Sequence, residues 1–230
     1  YDFTPNEYII AHPNGSSYMR SLHEGMGALS AKNYSCYPIV NQLYFYLSTL
    51  CSHALFEGVV IMRILIIFTH VLGGWACIQI LKILNKDIRR SAWLFLNPLV
   101  IIECTGNLHF EGVMLSMIFM GIYFLMRSKL YLSGVLLVCA VHIKLIPVIL
   151  IGGLVKTMKS LKRLQYLGLI FSGVMLLFIA FLNLGNIGHF LGSLKLYYST
   201  FEFNSALVLP LSEFIGWLAL YFPENISRSL

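Results

Sequence analysis

Along this chain apolar residues come in long blocks separated by short polar connections, without the strict alternation that marks half-buried strands. The blocks fall at 56–84, 92–104, 113–126, 130–141, 145–155, 164–184 and 206–222. A helix needs about 20 apolar residues to cross about 30 Å of hydrocarbon, so 56–84 predicts a full span and the shorter blocks predict packed or paired helices. Ahead of them, 38–51 (PIVNQLYFYLSTLC) is aromatic, mildly amphipathic and too short to cross. It predicts a helix lying at the interface or entering obliquely. Residues 1–37 are rich in Asn, Ser, Gly, His and Tyr and end in a Tyr37-Pro38 step, which reads as an external, water-facing loop. The division is therefore an external segment, 1–37, and one transmembrane helical domain, 38–230.

Composition excludes the soluble alternatives. Of 230 residues, 58% are hydrophobic and 11% charged, against about 25% charged in ordinary soluble domains. The net charge of +6 does not indicate nucleic-acid binding, because the basic residues sit between apolar blocks instead of on a soluble face. Cys36, Cys51, Cys77, Cys104 and Cys139 show no CxxC spacing, so neither a metal centre nor a disulfide framework is indicated. The chain carries no GxGxxG, P-loop, HExxH or GxSxG motif.

The charges do define a topology. Lys82, Lys86, Arg89 and Arg90 lie in one short connection, Arg127 and Lys129 in a second, and Lys156, Lys159, Lys162 and Arg163 in a third. The positive-inside rule places all three on the cytoplasmic side. Asp2, Glu7, Glu24, Glu57, Glu103, Glu111 and Glu202 then fall toward the exterior, a bias that rule does not require. The stretches 90–127 and 129–156 must each go out and back in about 37 and about 27 residues, short of the roughly 40 that two full spans need. Their tips, 106–112 and 142–147, are expected at or below the outer interface, where irregular backbone survives only packed in protein or lining a wet cavity. The alternative for the second is one helix over 130–155 kinked at Pro147.

Ionisable groups at such depth mark function by default. The first tip holds Glu103, Asn107, His109 and Glu111, a set suited to proton transfer, sugar-hydroxyl binding or ligation of a divalent ion. The second holds His142 and Lys144; a lysine between Ile143 and Leu145 needs an anionic partner, and phosphate is a natural one.

The pieces YDFTPNEYI (1–9), KNYSCYPIVNQLYF (32–45), NPLVIIECTGNLHFEG (97–112), VHIKLIP (141–147) and FEFNSA (201–206), in this order and with these apolar spacers, resemble bacterial membrane mannosyltransferase-like proteins of the C-type glycosyltransferase (GT-C) superfamily. The resemblance implies an all-α polytopic transmembrane helical bundle with short hairpins and outward-facing loops. It implies inverting transfer of a hexose, mannose-like, from a polyprenyl-phosphate donor to an extracytoplasmic glycan or lipid acceptor, in a bacterial inner membrane. By the same resemblance His109 and Glu111 are catalytic. Lys144, a phosphate-contacting lysine, joins His142, Asn107, Glu103, Tyr37, Glu202 and Asn204 as a substrate-binding residue. That superfamily carries its general base in the first external loop, which would precede Tyr1, so the chain is expected to be a piece lacking the first helix and that acid. No cofactor is implied beyond the lipid-linked sugar as donor substrate, no residue is assigned to a metal, and a divalent ion is left open. The expected partners are membrane lipid, donor and acceptor, with no nucleic acid; oligomeric state is not legible. A transporter or flippase for a lipid-linked or sugar substrate is the alternative, since polar residues on broken helices also mark translocation paths.

Overall fold

The computed structural model describes residues 2–181 and 186–200. It is an all-α membrane protein, with no strand among the described residues. The opening segment is not a loop: it forms α1 (Pro5–Ala11), α2 (Ser17–Glu24) and α3 (Ala28–Lys32). Thr4 and Glu7 close a capping box on α1, and the Ser16 hydroxyl accepts the Met19 N–H at the start of α2. Local capping thus gives helical form to a polar stretch that has no apolar periodicity to announce it.

Next come α4 (Ile39–Leu50), α5 (Leu55–Ile83), α6 (Ala92–Phe95) and α7 (Pro98–Ile101), which runs into a π-helical turn at Ile102–Gly106. They are followed by α8 (Glu111–Met126), α9 (Leu130–Val141), α10 (Pro147–Leu154), α11 (Ser160–Phe181) and α12 (Ile187–Thr200). Among these, α5 and α11 are long and apolar enough to cross a membrane, and α7 with its π turn plus α8 passes only as a bent pair, turned by 110°. Most of the apolar surface of α5 and α11 stays exposed: Ile64, Phe68 and Val71 on the first, and Phe171, Leu176 and Ile179 on the second, are positioned to meet lipid.

Side-chain pairs give the helix directions. His70 and Gly73 of α5 meet Gly112 and Ser116 of α8, so these two run parallel. Gly73 is required there because a Cβ would overlap the Ser116 side chain; small residues let membrane helices approach closely. The Ser133 hydroxyl donates to the Gly121 carbonyl across the α8–α9 hairpin. Tyr166 meets Ser133, Gly173 meets Val138, and His142 bonds the Val174 carbonyl, so α11 runs parallel to α9. The chain must therefore return along α10, which decides for the out-and-back course over 130–155 and against a single kinked helix. All three basic connections consequently lie at one end of the molecule, as the charge pattern predicts.

The outbound leg of the first hairpin differs from a simple apolar helix. Phe95 packs beside Gly74 and His70, and Thr105 lies against Arg63, so 92–106 climbs α5 as broken helical pieces. Its tip reaches only the level of Arg63 to Ile66, leaving about 12 Å of α5 beyond it at 1.5 Å per residue. The block at 206–222 lies outside the described residues.

Candidate functional site

At the end opposite the basic connections the two broken hairpins meet. The chain stops being helical after Val141 and resumes at Pro147, whose missing N–H suits a first helical position. The backbone freed by this break is met by α4: Val40 N–H donates to the His142 carbonyl at 3.0 Å and Asn41 Nδ2 to the Ile143 carbonyl at 3.0 Å. An N-terminal helical turn has N–H groups with no intrahelical partner, so the α4 entry and the break complete each other.

The other tip turns through Leu108, whose φ of 57° is left-handed and strained for a non-glycine residue. Leu108 packs with Phe110, Phe45, Val113 and Ile143 in a core beneath the turn, which holds it in that conformation. On either side of it, Asn107 and His109 reach the same cavity.

That cavity encloses about 560 Å³ and is lined by Tyr37, Asn107, His109, Glu111 and Lys144, with Asn41 at its α4 wall. Five sequence-predicted residues from three separate stretches are thus brought to one wall set. The Lys144 ammonium stands 2.5 Å from the Glu111 carboxylate, with the lysine side chain about two-thirds buried and the glutamate half exposed. Desolvation around its ring holds the Tyr37 hydroxyl above the usual phenol range, so it is a neutral hydrogen-bond donor.

Glu103 and His142 are placed differently. Glu103 does not line the cavity; its carboxylate lies 3.2 Å from His109 Nδ1 and accepts from Asn107 Nδ2 at 3.3 Å. His142 is fully buried between α9 and α11, with Nε2 on the Val174 carbonyl and its ring against Phe178. Desolvation of an imidazole among apolar helices makes it a packing element, and it contributes its backbone carbonyl to the site, not its ring. Glu202 and Asn204 lie outside the described residues. Among the described residues no group of three or more His, Cys, Asp and Glu gathers as metal ligands would.

Sequence reasoning passed over Arg63 and Asn41. The signal for Arg63 was an arginine inside an apolar span. Asn41 had no comparable signal, because only the fold shows that the break needs its amide.

A second cavity of about 820 Å³ adjoins the first, sharing Cys36, Tyr37, Phe45 and Tyr197 with it. The α1–α3 segment and α12 roof it: Tyr34 stacks on His189 at 4.0 Å, and Asn186 Nδ2 donates to Asp2 Oδ1 at 3.1 Å.

No solved structure matches the chain. Over 155 residues it is 27% identical to GPI mannosyltransferase 1 of Saccharomyces cerevisiae, a stretch that covers 64% of this chain and 34% of that protein. The chain therefore spans about a third of the length of that curated relative. Residues 30–160, which carry both broken hairpins together with Tyr37, Asn41, Asn107, His109, Glu111 and Lys144, match the family described as alpha-(1->6)-mannopyranosyltransferase, N-terminal domain, and the chain belongs to that family.

Proposed function

We propose that this chain forms the donor-phosphate end of a membrane mannosyltransferase that takes its sugar from a polyprenyl-phosphate carrier and passes it to a glycan or lipid acceptor on the extracytoplasmic side. The carrying observation is the convergence of Lys144, Glu111, His109, Asn107 and Tyr37 on one cavity at the end away from the basic connections. Family membership supports sugar transfer, and the name of the yeast relative supports mannose.

In such a reaction the acceptor hydroxyl oxygen attacks the anomeric carbon, and the carbon–oxygen bond to phosphate breaks with its electron pair leaving on the lipid phosphate. Negative charge grows on that phosphate, and the Lys144 ammonium is the group here that would neutralise it. Glu111 pairs with the ammonium, and a donor phosphate would compete with it for that charge. In this reading His109 takes the proton that the acceptor loses, in place of the acid that the family resemblance implies in the first external loop, and Tyr37 and Asn107 supply neutral donors and acceptors for sugar hydroxyls. A single displacement inverts the anomeric carbon and needs no covalent intermediate, so Glu103, tied to His109, is not required as a nucleophile.

The test is transfer from radiolabelled polyprenyl-phosphate mannose by the protein in membranes, beside the same assay with a nucleotide-linked mannose. Transfer from the lipid donor that Lys144→Ala lowers by about 10²–10³-fold is the expected result. Transfer from the nucleotide sugar alone, or from neither, overturns the reading.

A further inference from the structure

Arg63 stands on α5 at the level of the first tip, among apolar neighbours where an arginine needs fixed partners. Its Nε donates to the Thr105 carbonyl at 2.8 Å and its Nη2 to the Gly106 carbonyl at 3.3 Å. These carbonyls end the π turn, where helix carbonyls lack intrahelical donors and a cation is favoured. The same turn carries Glu103, and Glu103 grips His109 twice. Its main-chain carbonyl accepts the His109 N–H at 3.2 Å, and its carboxylate lies 3.2 Å from Nδ1. The second carboxylate oxygen accepts from Asn107, so the carboxylate is itself held.

We infer that Arg63 and Glu103 are positioning residues that fix the His109 imidazole with its proton on Nδ1, leaving Nε2 as the ring nitrogen offered to a ligand in the cavity. At 3.2 Å a carboxylate repels the lone pair of a bare nitrogen and attracts a protonated one, so Glu103 favours the Nδ1–H form, whereas a neutral imidazole free in water favours Nε2–H. The π turn serves this geometry: its wider winding brings the Glu103 side chain beside a ring six positions later, and Arg63 keeps the turn wound. The consequence for catalysis rests on the transferase reading, because only there does a bare Nε2 have an acceptor proton to take. The tautomer itself does not.

The experiment is nitrogen-15 NMR of the imidazoles in the detergent-solubilised protein, at a pH where they are neutral. The His109 signal is assigned by its loss in His109→Gln. The wild type is expected to show a protonated Nδ1 and a bare Nε2. Glu103→Ala should convert His109 to the Nε2–H form, and Arg63→Gln should populate both forms. Unchanged signals from the other histidines report that each variant is folded. An Nε2–H form in the wild type overturns the inference; an unchanged tautomer in Glu103→Ala removes the role of Glu103, and one in Arg63→Gln that of Arg63. In transfer assays the same two variants are expected to lose about tenfold or more in kcat with KM unchanged, a part of the roughly 10²–10⁴-fold that a positioned acid or base contributes, with Glu103→Asp recovering some of it. The expected tautomer switch in a protein that transfers no sugar would refute the transferase reading and leave the positioning role standing.

Discussion

Lys144 and Glu111 form an ion pair at 2.5 Å across 33 residues of sequence, joining the break after α9 to the first residue of α8. Because the carboxylate is half exposed, the pair contributes little to folding, and its weight falls on the cavity's charge. Lys144→Ala is therefore expected to lower sugar transfer by about 10²–10³-fold, the usual cost of removing one group that stabilises developing negative charge. Thermal stability in detergent should hardly move. The exchange Glu111→Lys with Lys144→Glu keeps the pair but moves the ammonium, and should not restore activity. Wild-type transfer in Lys144→Ala would remove the lysine from the site.

Asn41 is buried, and its amide is the donor that satisfies the Ile143 carbonyl at the break. Asn41→Leu keeps the volume but leaves that carbonyl unpaired in an apolar setting, at a cost of about 1–3 kcal/mol. The melting temperature is expected to fall by about 2–4 °C for each kcal/mol in a chain of this size. Lys144, one residue beyond the loosened carbonyl, should lose its fixed place, so transfer falls together with stability. An Asn41→Leu protein that melts with the wild type would show that the α4 entry does not hold the break.

The first tip depends on a missing side chain. A Cβ at Gly112 would stand 2.6 Å from Cys104 Sγ and 2.9 Å from Cys104 Cβ, so the π turn and the start of α8 can approach only because glycine is there. Gly112→Val should displace Glu111 and cost about 1–3 kcal/mol of stability through overpacking. Cys104→Gly in the same chain opens the space on the other side and should restore part of the melting temperature. Equal stability in Gly112→Val with and without that second change would place the strain elsewhere.

The fold was legible where one physical constraint dominated. The 56–84 block announced α5 because a long apolar run has few alternatives, and the basic connections announced which ends share a face. Thr4-Pro5-Asn6-Glu7 carries a capping-box signature, so α1 was readable locally even though 1–37 as a whole looked like loop. The fragmentation of 92–106 was not readable, because it is imposed by packing against Gly74 and Arg63 rather than by any breaker other than Pro98. The site divides the same way. Glu111, His109 and Lys144 stood out as ionisable groups in apolar context, whereas His142 fits that description equally well and turns inward. Only the partner helix, α11, separates them, and one helix's own sequence does not carry its neighbour's position.

The roof of the larger cavity supplies a pH prediction. Thr4 N–H donates to the Glu7 carboxylate at 2.8 Å while Thr4 Oγ1 accepts the Glu7 N–H at 3.2 Å. The bond from the Thr4 backbone N–H foremost, with the Thr4 side chain second, holds the Glu7 carboxyl below its ordinary value. A carboxyl whose folded value lies below its unfolded one, about 4.3 for glutamate, contributes all its stabilisation above the unfolded value and loses it as pH falls through the folded one. The α1 helix, whose Pro5 and Tyr8 line that cavity, should therefore have its full cap at neutral pH and lose that contribution progressively as pH falls through the glutamate range and below. Hydrogen exchange of residues 5–11, corrected for the pH dependence of the intrinsic rate, should show protection that is flat from pH 7 to about 5 and falls below that. Glu7→Gln retains much of the cap's shape but has no proton to gain, so its protection should be lower at neutral pH and indifferent to acid. If Glu7→Gln opens in acid as the wild type does, another carboxylate sets the transition and the capping box does not control the roof.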